Sequence, residues 1–207
     1  MYQGGVPLPP PLQSAATGGD CEVDPTLVGS GDCSSTIEGQ FIQGNGSYHD
    51  YAELRFTTTV PDEAHALEFD FAFFSREYPV FYGREFNDMF VAWMESEWWT
   101  GNISFDDAGN PISLNAGFLD YRDAQAGTEN DPDCVDGCVA PELHGTCMEG
   151  HAGTQWLTTS APVQPGQPLM VVFAIFDLSD PNLDSYAFID GVRWGCEGGP
   201  VVTEPAG

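Results

Sequence analysis

Apolar side chains recur at every second position along much of the chain. Leu54, Phe56, Thr58 and Val60 alternate with Arg55, Thr57 and Thr59, and Leu67, Phe69, Phe71 and Phe73 alternate with Glu68, Asp70 and Ala72. Period two is the repeat of a strand with one face in a core, because successive side chains point to opposite faces. Residues 89–94 (MFVAWM) and 169–176 (LMVVFAIF) are continuous apolar runs. They are short enough to predict strands buried on both faces. Residues 186–194 (YAFIDGVRW) predict a last strand, and Val60-Pro61-Asp62 and Gln164-Pro165-Gly166 predict turns. No long helical stretch and no internal repeat interrupts this pattern. The expected fold is all-β, an antiparallel, jelly-roll-like β-sandwich.

The ends read differently from the body. Residues 1–20 are rich in Pro and Gly, with Pro9-Pro10-Pro11, and predict a linker or arm of polyproline II character. Residues 21–197 form the expected sandwich domain, and residues 198–207 a flexible tail. The opening residues lack a basic region followed by an apolar run, so the chain is expected to be a processed form or one module of a larger protein. Residues 122–155 are polar and contain three cysteines and two histidines. A loop this long inside a domain is usually functional or covalently stapled.

Charge narrows the partners. Asp and Glu number 32 against five basic residues, all of them arginine, for a net charge of −27. Phosphate backbones and anionic lipid repel such a chain, which argues against nucleic acid and against membrane binding. No stretch approaches the ~20 apolar residues of a membrane span. Cations are attracted instead, although most surface carboxylates only solvate. Six cysteines, Cys21, Cys33, Cys134, Cys138, Cys147 and Cys196, form an even set. In an acidic, Gly- and Pro-rich chain this favours disulfides and an oxidising compartment. Their connectivity stays open, with about 15 pairings allowed.

Candidate chemistry follows from phase. Continuing strand 67–73 by twos leads to Ser75 and Glu77, at the sheet end on the side of the phenylalanines. In the last strand Phe188, Asp190, Val192 and Trp194 share a phase, so Asp190 interrupts an apolar face. A carboxylate in such a place needs donors or a cation. Asn87-Asp88 and the run Asp177-Leu-Ser-Asp180-Pro-Asn182-Leu-Asp184 add hard oxygens. Calcium takes six to eight of these, so a calcium ion on Glu77, Asn87, Asp88, Asp184 and Asp190 is expected. Capping of backbone amides by the same residues is the competing explanation. Zinc at Cys134, Cys138 and Cys147, with His144 and His151 nearby, ranks below disulfides, because Cys-x3-Cys is looser than the usual zinc spacing. Trp98, Trp99 and Tyr82 can stack on a ligand such as a sugar if exposed, against the commoner role of core packing. No nucleophile elbow, His-Glu-x-x-His or P-loop is present, and no flanking motif supports a paired-carboxylate glycosidase.

These segments also carry a family resemblance. Phe74-Ser75-Arg76-Glu77-Tyr78-Pro79-Val80-Phe81, followed by Glu85-Phe86-Asn87-Asp88-Met89-Phe90, resembles the bacterial choice-of-anchor L domain family. The stretch Gly150–Thr159 is similar to that family's approach to a strand. Phe173–Asp177, Leu183-Asp184-Ser185 and Ile189–Val192 are similar to its closing pair of strands. The likeness spans roughly residues 36–196 and implies a secreted or surface-anchored protein with no activity to carry over. The expected function is a non-enzymatic extracellular surface module for adhesion, assembly or ligand binding, stabilised by calcium. Its partners would be a surface protein, a glycan or copies of itself. A structural subunit of an extracellular fibre or surface layer is the alternative, and a secreted glycan-acting hydrolase ranks below both.

Overall fold

The computed structural model describes residues 8–12, 37, 48–97, 99–127 and 130–207. These form ten strands and two single 3-10 turns. The strands are β1 (Tyr48–Thr59), β2 (Ala66–Ser75), β3 (Met89–Glu95), β4 (Thr100–Asn102), β5 (Tyr121–Arg122), β6 (Ala152–Gly153), β7 (Leu157–Pro162), β8 (Pro168–Leu178), β9 (Ser185–Gly195) and β10 (Val202–Pro205). One sheet runs β1-β8-β3-β4. In the other, β7 and β6 line one edge of β2 and β9 pairs along its other edge, with β10 beyond β7 and β5 beyond β6. Every pairing is antiparallel. The fold is therefore all-β with two antiparallel sheets, as the alternation requires.

Phe69, Phe71 and Phe73 of β2 meet Phe90, Ala92 and Met94 of β3 and Val171 and Phe173 of β8 between the sheets. Phe71 stacks on Phe90 at 4.7 Å, and Phe69 meets Phe173 edge-on at 4.8 Å. The two continuous apolar runs are buried on both faces, because the outer side of their sheet is also covered. Met89, Val91, Trp93, Val172, Ala174 and Phe176 pack there against Leu8, Leu12 and Ile37. Arg55 Nη2 donates to the Pro10 carbonyl at 2.8 Å and helps seat residues 8–12. That part of the expected arm is thus a lid on the first sheet. The expected flexible tail contributes β10, tied in by a buried hydroxyl ladder. Ser104 Oγ lies 3.0 Å from Thr159 Oγ1, which lies 2.8 Å from Thr203 Oγ1.

Two expectations about phase fail, one at a sheet edge and one at a bulge. Leu54 is on the inward phase of β1, opposite Phe173, yet it is 59% exposed. Its strand is a sheet edge, and the facing sheet does not reach over it. In β9, Phe188 and Asp190 face solvent while Ala187 and Ile189 pack on the core. One extra residue then enters β9, since Asp70 faces Asp190 but Glu68 faces Arg193. Gly191, at φ 59°, sits in this bulge. A Cβ there would lie 2.7 Å from Asp70 Oδ2, so glycine suits the position on two counts. The bulge breaks the single phase expected for Phe188, Asp190, Val192 and Trp194.

Candidate functional site

Three strands of the core end in acids at the same end of the sandwich. On β2 the inward series Phe69, Phe71, Phe73 and Ser75 leads to Glu77. On β3 the inward residue before Phe90 is Asp88. On β8 the inward series Val171, Phe173 and Ile175 leads to Asp177. Glu77 is 2% exposed, Asp88 0% and Asp177 4%. Each retains a buried oxygen without a hydrogen-bond partner: Glu77 Oε2, Asp88 Oδ1 and Asp177 Oδ2.

The backbone brings them together through β2 and β9. Ser75 pairs with Ser185, and the Ser185 hydroxyl donates to Asp88 Oδ2 at 2.5 Å. The Leu178 amide also donates to Asp88. Ser75 Oγ accepts the Glu77 amide at 3.2 Å and so holds the first residues of the turn after β2. His151 Nδ1 lies 2.8 Å from the Tyr78 carbonyl oxygen, and Tyr78 Oη donates to the buried Asp131 at 2.9 Å. Arg122 reaches Asp131 at 3.2 Å from the other side. This network pins the turn that carries Glu77.

Burial and like charge act in one direction here. Desolvation, then Asp88, Asp180 and Asp177, push the Glu77 carboxyl up to about 9. Desolvation, then Asp88, Asp50, Asp184 and Asp180, push Asp177 to about 8. Desolvation raises Asp88 to about 7, against the donors Ser185 and Leu178. A buried ionised carboxylate without compensation costs several kcal/mol, so this group needs protons or a cation. The three acids share a neighbourhood without sharing a centre. Among the described residues, no three His, Cys, Asp or Glu side chains converge as in a preformed metal site.

The structure sorts the residues named from sequence. Glu77 and Asp88 lie in the group. Asn87 is buried beside it, with its Oδ1 accepting the Asn115 amide at 2.9 Å, and so braces the loop. Asp184 is exposed at the rim, its carbonyl accepting the Arg76 amide at 3.4 Å. Asp190 lies elsewhere: five residues along β9 from Ser185, exposed, and accepting the Gly191 amide at 2.7 Å. Asp177 was not among the leading candidates, although continuing 171–175 by twos points to it. Asp180 sits at the rim, its Oδ1 accepting the Asn182 amide at 2.8 Å.

Cys134 and Cys138 are joined in a disulfide, which removes both sulfurs from any zinc site and staples the loop. Cys147 and Cys196 are exposed and unbridged. They cannot bridge each other, because they follow opposite ends of β2: Gly195 pairs with Ala66, and Ala152 with Ser75. Those ends are roughly 30 Å apart at ~3.3 Å per residue. Cys21, Cys33 and Trp98 lie outside the described residues. Trp99 is 2% exposed, with Nε1 donating to the Gly101 carbonyl at 3.2 Å, and so is a core residue with no face for a ligand. Tyr82 is half-buried, edge-on to Tyr78 and 5.6 Å beneath the Arg122 guanidinium.

The model of the choice-of-anchor L domain family matches residues 23–193, which include all three buried acids, strands β1 to β8 and most of β9, with β10 beyond the match. The chain belongs to this family. No curated protein and no solved structure matches it. Membership makes the chain a surface-associated module of a family of secreted or surface-anchored proteins, and the family is not an enzyme family. Among the described residues, no helix is long and apolar enough to cross a membrane.

Proposed function

We propose that this domain is a non-enzymatic extracellular adhesion module that binds a partner by accepting an extended polypeptide segment along one flank of the sandwich. The observation that carries this reading is the open flank between β1 and β9. Among the described residues, β1 pairs only with β8 and β9 only with β2, so a free strand edge borders the flank in each sheet. Between them lies a groove of about 160 Å³ lined by Leu54, Phe90, Phe173, Ile175, Ala187 and Ile189. Long edges with apolar side chains are places where another strand adds, and natural monomers usually blunt them. The net charge of −27 selects the occupant. A second copy brings the same charge and is repelled, whereas a neutral or basic strand is attracted. Residues 8–12 and β10 lie on the chain's own sheets, so assembly through those segments has no support from their placement.

Fluorescence anisotropy tests the reading with two extended probe peptides, one alternating valine with lysine and the other valine with glutamate. The basic strand is expected to bind and the acidic one not, and Leu54→Asp is expected to weaken binding at least tenfold. Equal behaviour of the two peptides, or no effect of Leu54→Asp, refutes it. Concentration-dependent self-association that Leu54→Asp abolishes favours the fibre-subunit alternative instead.

A further inference from the structure

The three buried acids are far more than solvated surface charge. Each is more than nine-tenths buried, and each carries a buried oxygen with no hydrogen-bond partner among the described residues. Ser185 Oγ and the Leu178 amide donate to Asp88 and leave its Oδ1 without a partner among the described residues. Asp180 and Asp184 add negative charge at the rim. We propose that Glu77, Asp88 and Asp177 bind one divalent cation, calcium by ligand chemistry, with Asp180, Asp184 and carbonyl oxygens of the 178–184 turn completing its shell.

The donor set decides the ion. Every candidate ligand is a hard oxygen. Two histidines lie nearby: His151 has its Nδ1 against Tyr78, and His49 of β1 stands opposite Asp177 of β8; Cys134 and Cys138 are bonded to each other. Hard oxygens exclude the sulfur- and nitrogen-preferring metals. Calcium accepts six to eight oxygens in irregular geometry, which suits ligands from three strand ends and a turn, whereas magnesium demands a near-ideal octahedron. Because the carboxylates do not converge on one point, binding must draw Glu77 and Asp177 inward across their mutual repulsion. The ion therefore acts as a clasp. It ties the β2–β3 loop, the start of β3 and the β8–β9 loop together at one end of the two sheets.

The competing way to quiet three buried carboxyls is to protonate them, and one experiment separates the two. The full chain is stripped with chelator, shown metal-free by elemental analysis, and titrated at pH 8 with calcium chloride by calorimetry. One saturable site is expected. At ~100 times the dissociation constant the folded-to-unfolded ratio should rise about a hundredfold, moving the melting temperature by roughly 5–10 °C. Magnesium at the same concentration should move it less. Glu77→Gln and Asp177→Asn should each weaken calcium at least tenfold while melting no lower than the parent in chelator, since each removes a repulsive charge at nearly constant shape. Asp190→Asn, outside the group, should titrate like the parent. No binding by the folded parent overturns the proposal, as do parent-like titrations of Glu77→Gln and Asp177→Asn, loss of binding in Asp190→Asn, or an equal response to magnesium.

Discussion

Gly153→Ala adds one methyl group where the structure has no room for it. Gly153 of β6 pairs with Phe74 of β2, and the Phe74 ring lies against it. An alanine Cβ would fall 2.1 Å from Cδ1, 2.5 Å from Cε1 and 2.9 Å from Cγ of that ring. Carbon atoms in contact normally sit ~3.5–4.0 Å apart, so ring or strand must move by about 1.4 Å or more. The ring is hemmed in by Phe188, 5.8 Å away and edge-on, and by Leu143, Met148, Tyr121 and Tyr186. Two effects compete. Replacing glycine restricts the unfolded chain and stabilises by about 0.4–1 kcal/mol, whereas overpacking costs about 1–3 kcal/mol. Overpacking wins, for a net loss of about 1–2 kcal/mol, and the melting temperature should fall by roughly 2–8 °C at this chain length. Calorimetry of the parent, Gly153→Ala, Phe74→Ala and the double variant isolates the cause. With the ring gone, Gly153→Ala should become neutral or slightly stabilising, giving a coupling of about 1–3 kcal/mol. A Gly153→Ala protein that melts within ~1 °C of the parent, or a penalty that persists without the ring, refutes the reasoning. Because β6 also pairs Ala152 with Ser75, two residues before Glu77, the variant should bind calcium more weakly as well.

In chelator, the melting temperature should fall as pH rises from about 5 to 9. The folded-state values of Glu77 (about 9), Asp177 (about 8) and Asp88 (about 7) all lie above their ordinary ones. The folded state thus holds extra protons, and stability present at low pH is lost at up to about 1.4 kcal/mol per pH unit for each group. Glu53 and Asp70, held low by Tyr51 and Arg193, lose their contribution only at more acid pH and do not blur this window. A flat profile between pH 5 and 9 counts against the burial of these acids. Thr159→Val should cost about 1–3 kcal/mol by removing the partner of the buried Ser104 hydroxyl and leaving Thr203 Oγ1 with the Phe105 amide alone, and should speed amide exchange in β10. Unchanged melting and exchange would show that the ladder does not hold the C-terminal strand.

Alternation and the two continuous apolar runs locate β1, β2, β3, β8 and β9, whereas the shorter β4 to β7 and β10 carry no such signal. The same counting reaches Glu77. Applied to Val171, Phe173 and Ile175 it also reaches Asp177, a legible signal that the richer acidic loop beyond it obscured. The last strand shows where counting stops. A bulge at Gly191 adds one residue to β9, and a one-residue slip sends the following side chains to the opposite face. Such a slip depends on which residues of β2 lie opposite, not on any local pattern. Cysteine parity likewise announced covalent links without showing that Cys134 joins Cys138, or that Cys147 and Cys196 lie at opposite ends of β2.

Local chemistry alone therefore decided the long strands, the all-β class, the acidic surface and the presence of carboxylates at strand ends. These follow from side-chain polarity and backbone geometry within a few residues. Tertiary structure decided which strands become edges, why Leu54 is bare while Trp99 is buried, and that Glu77, Asp88 and Asp177 share one neighbourhood. Those outcomes depend on pairings between residues as far apart as Tyr48 and Leu178 or Ala66 and Gly195, where strand order and register set which side chains share a space.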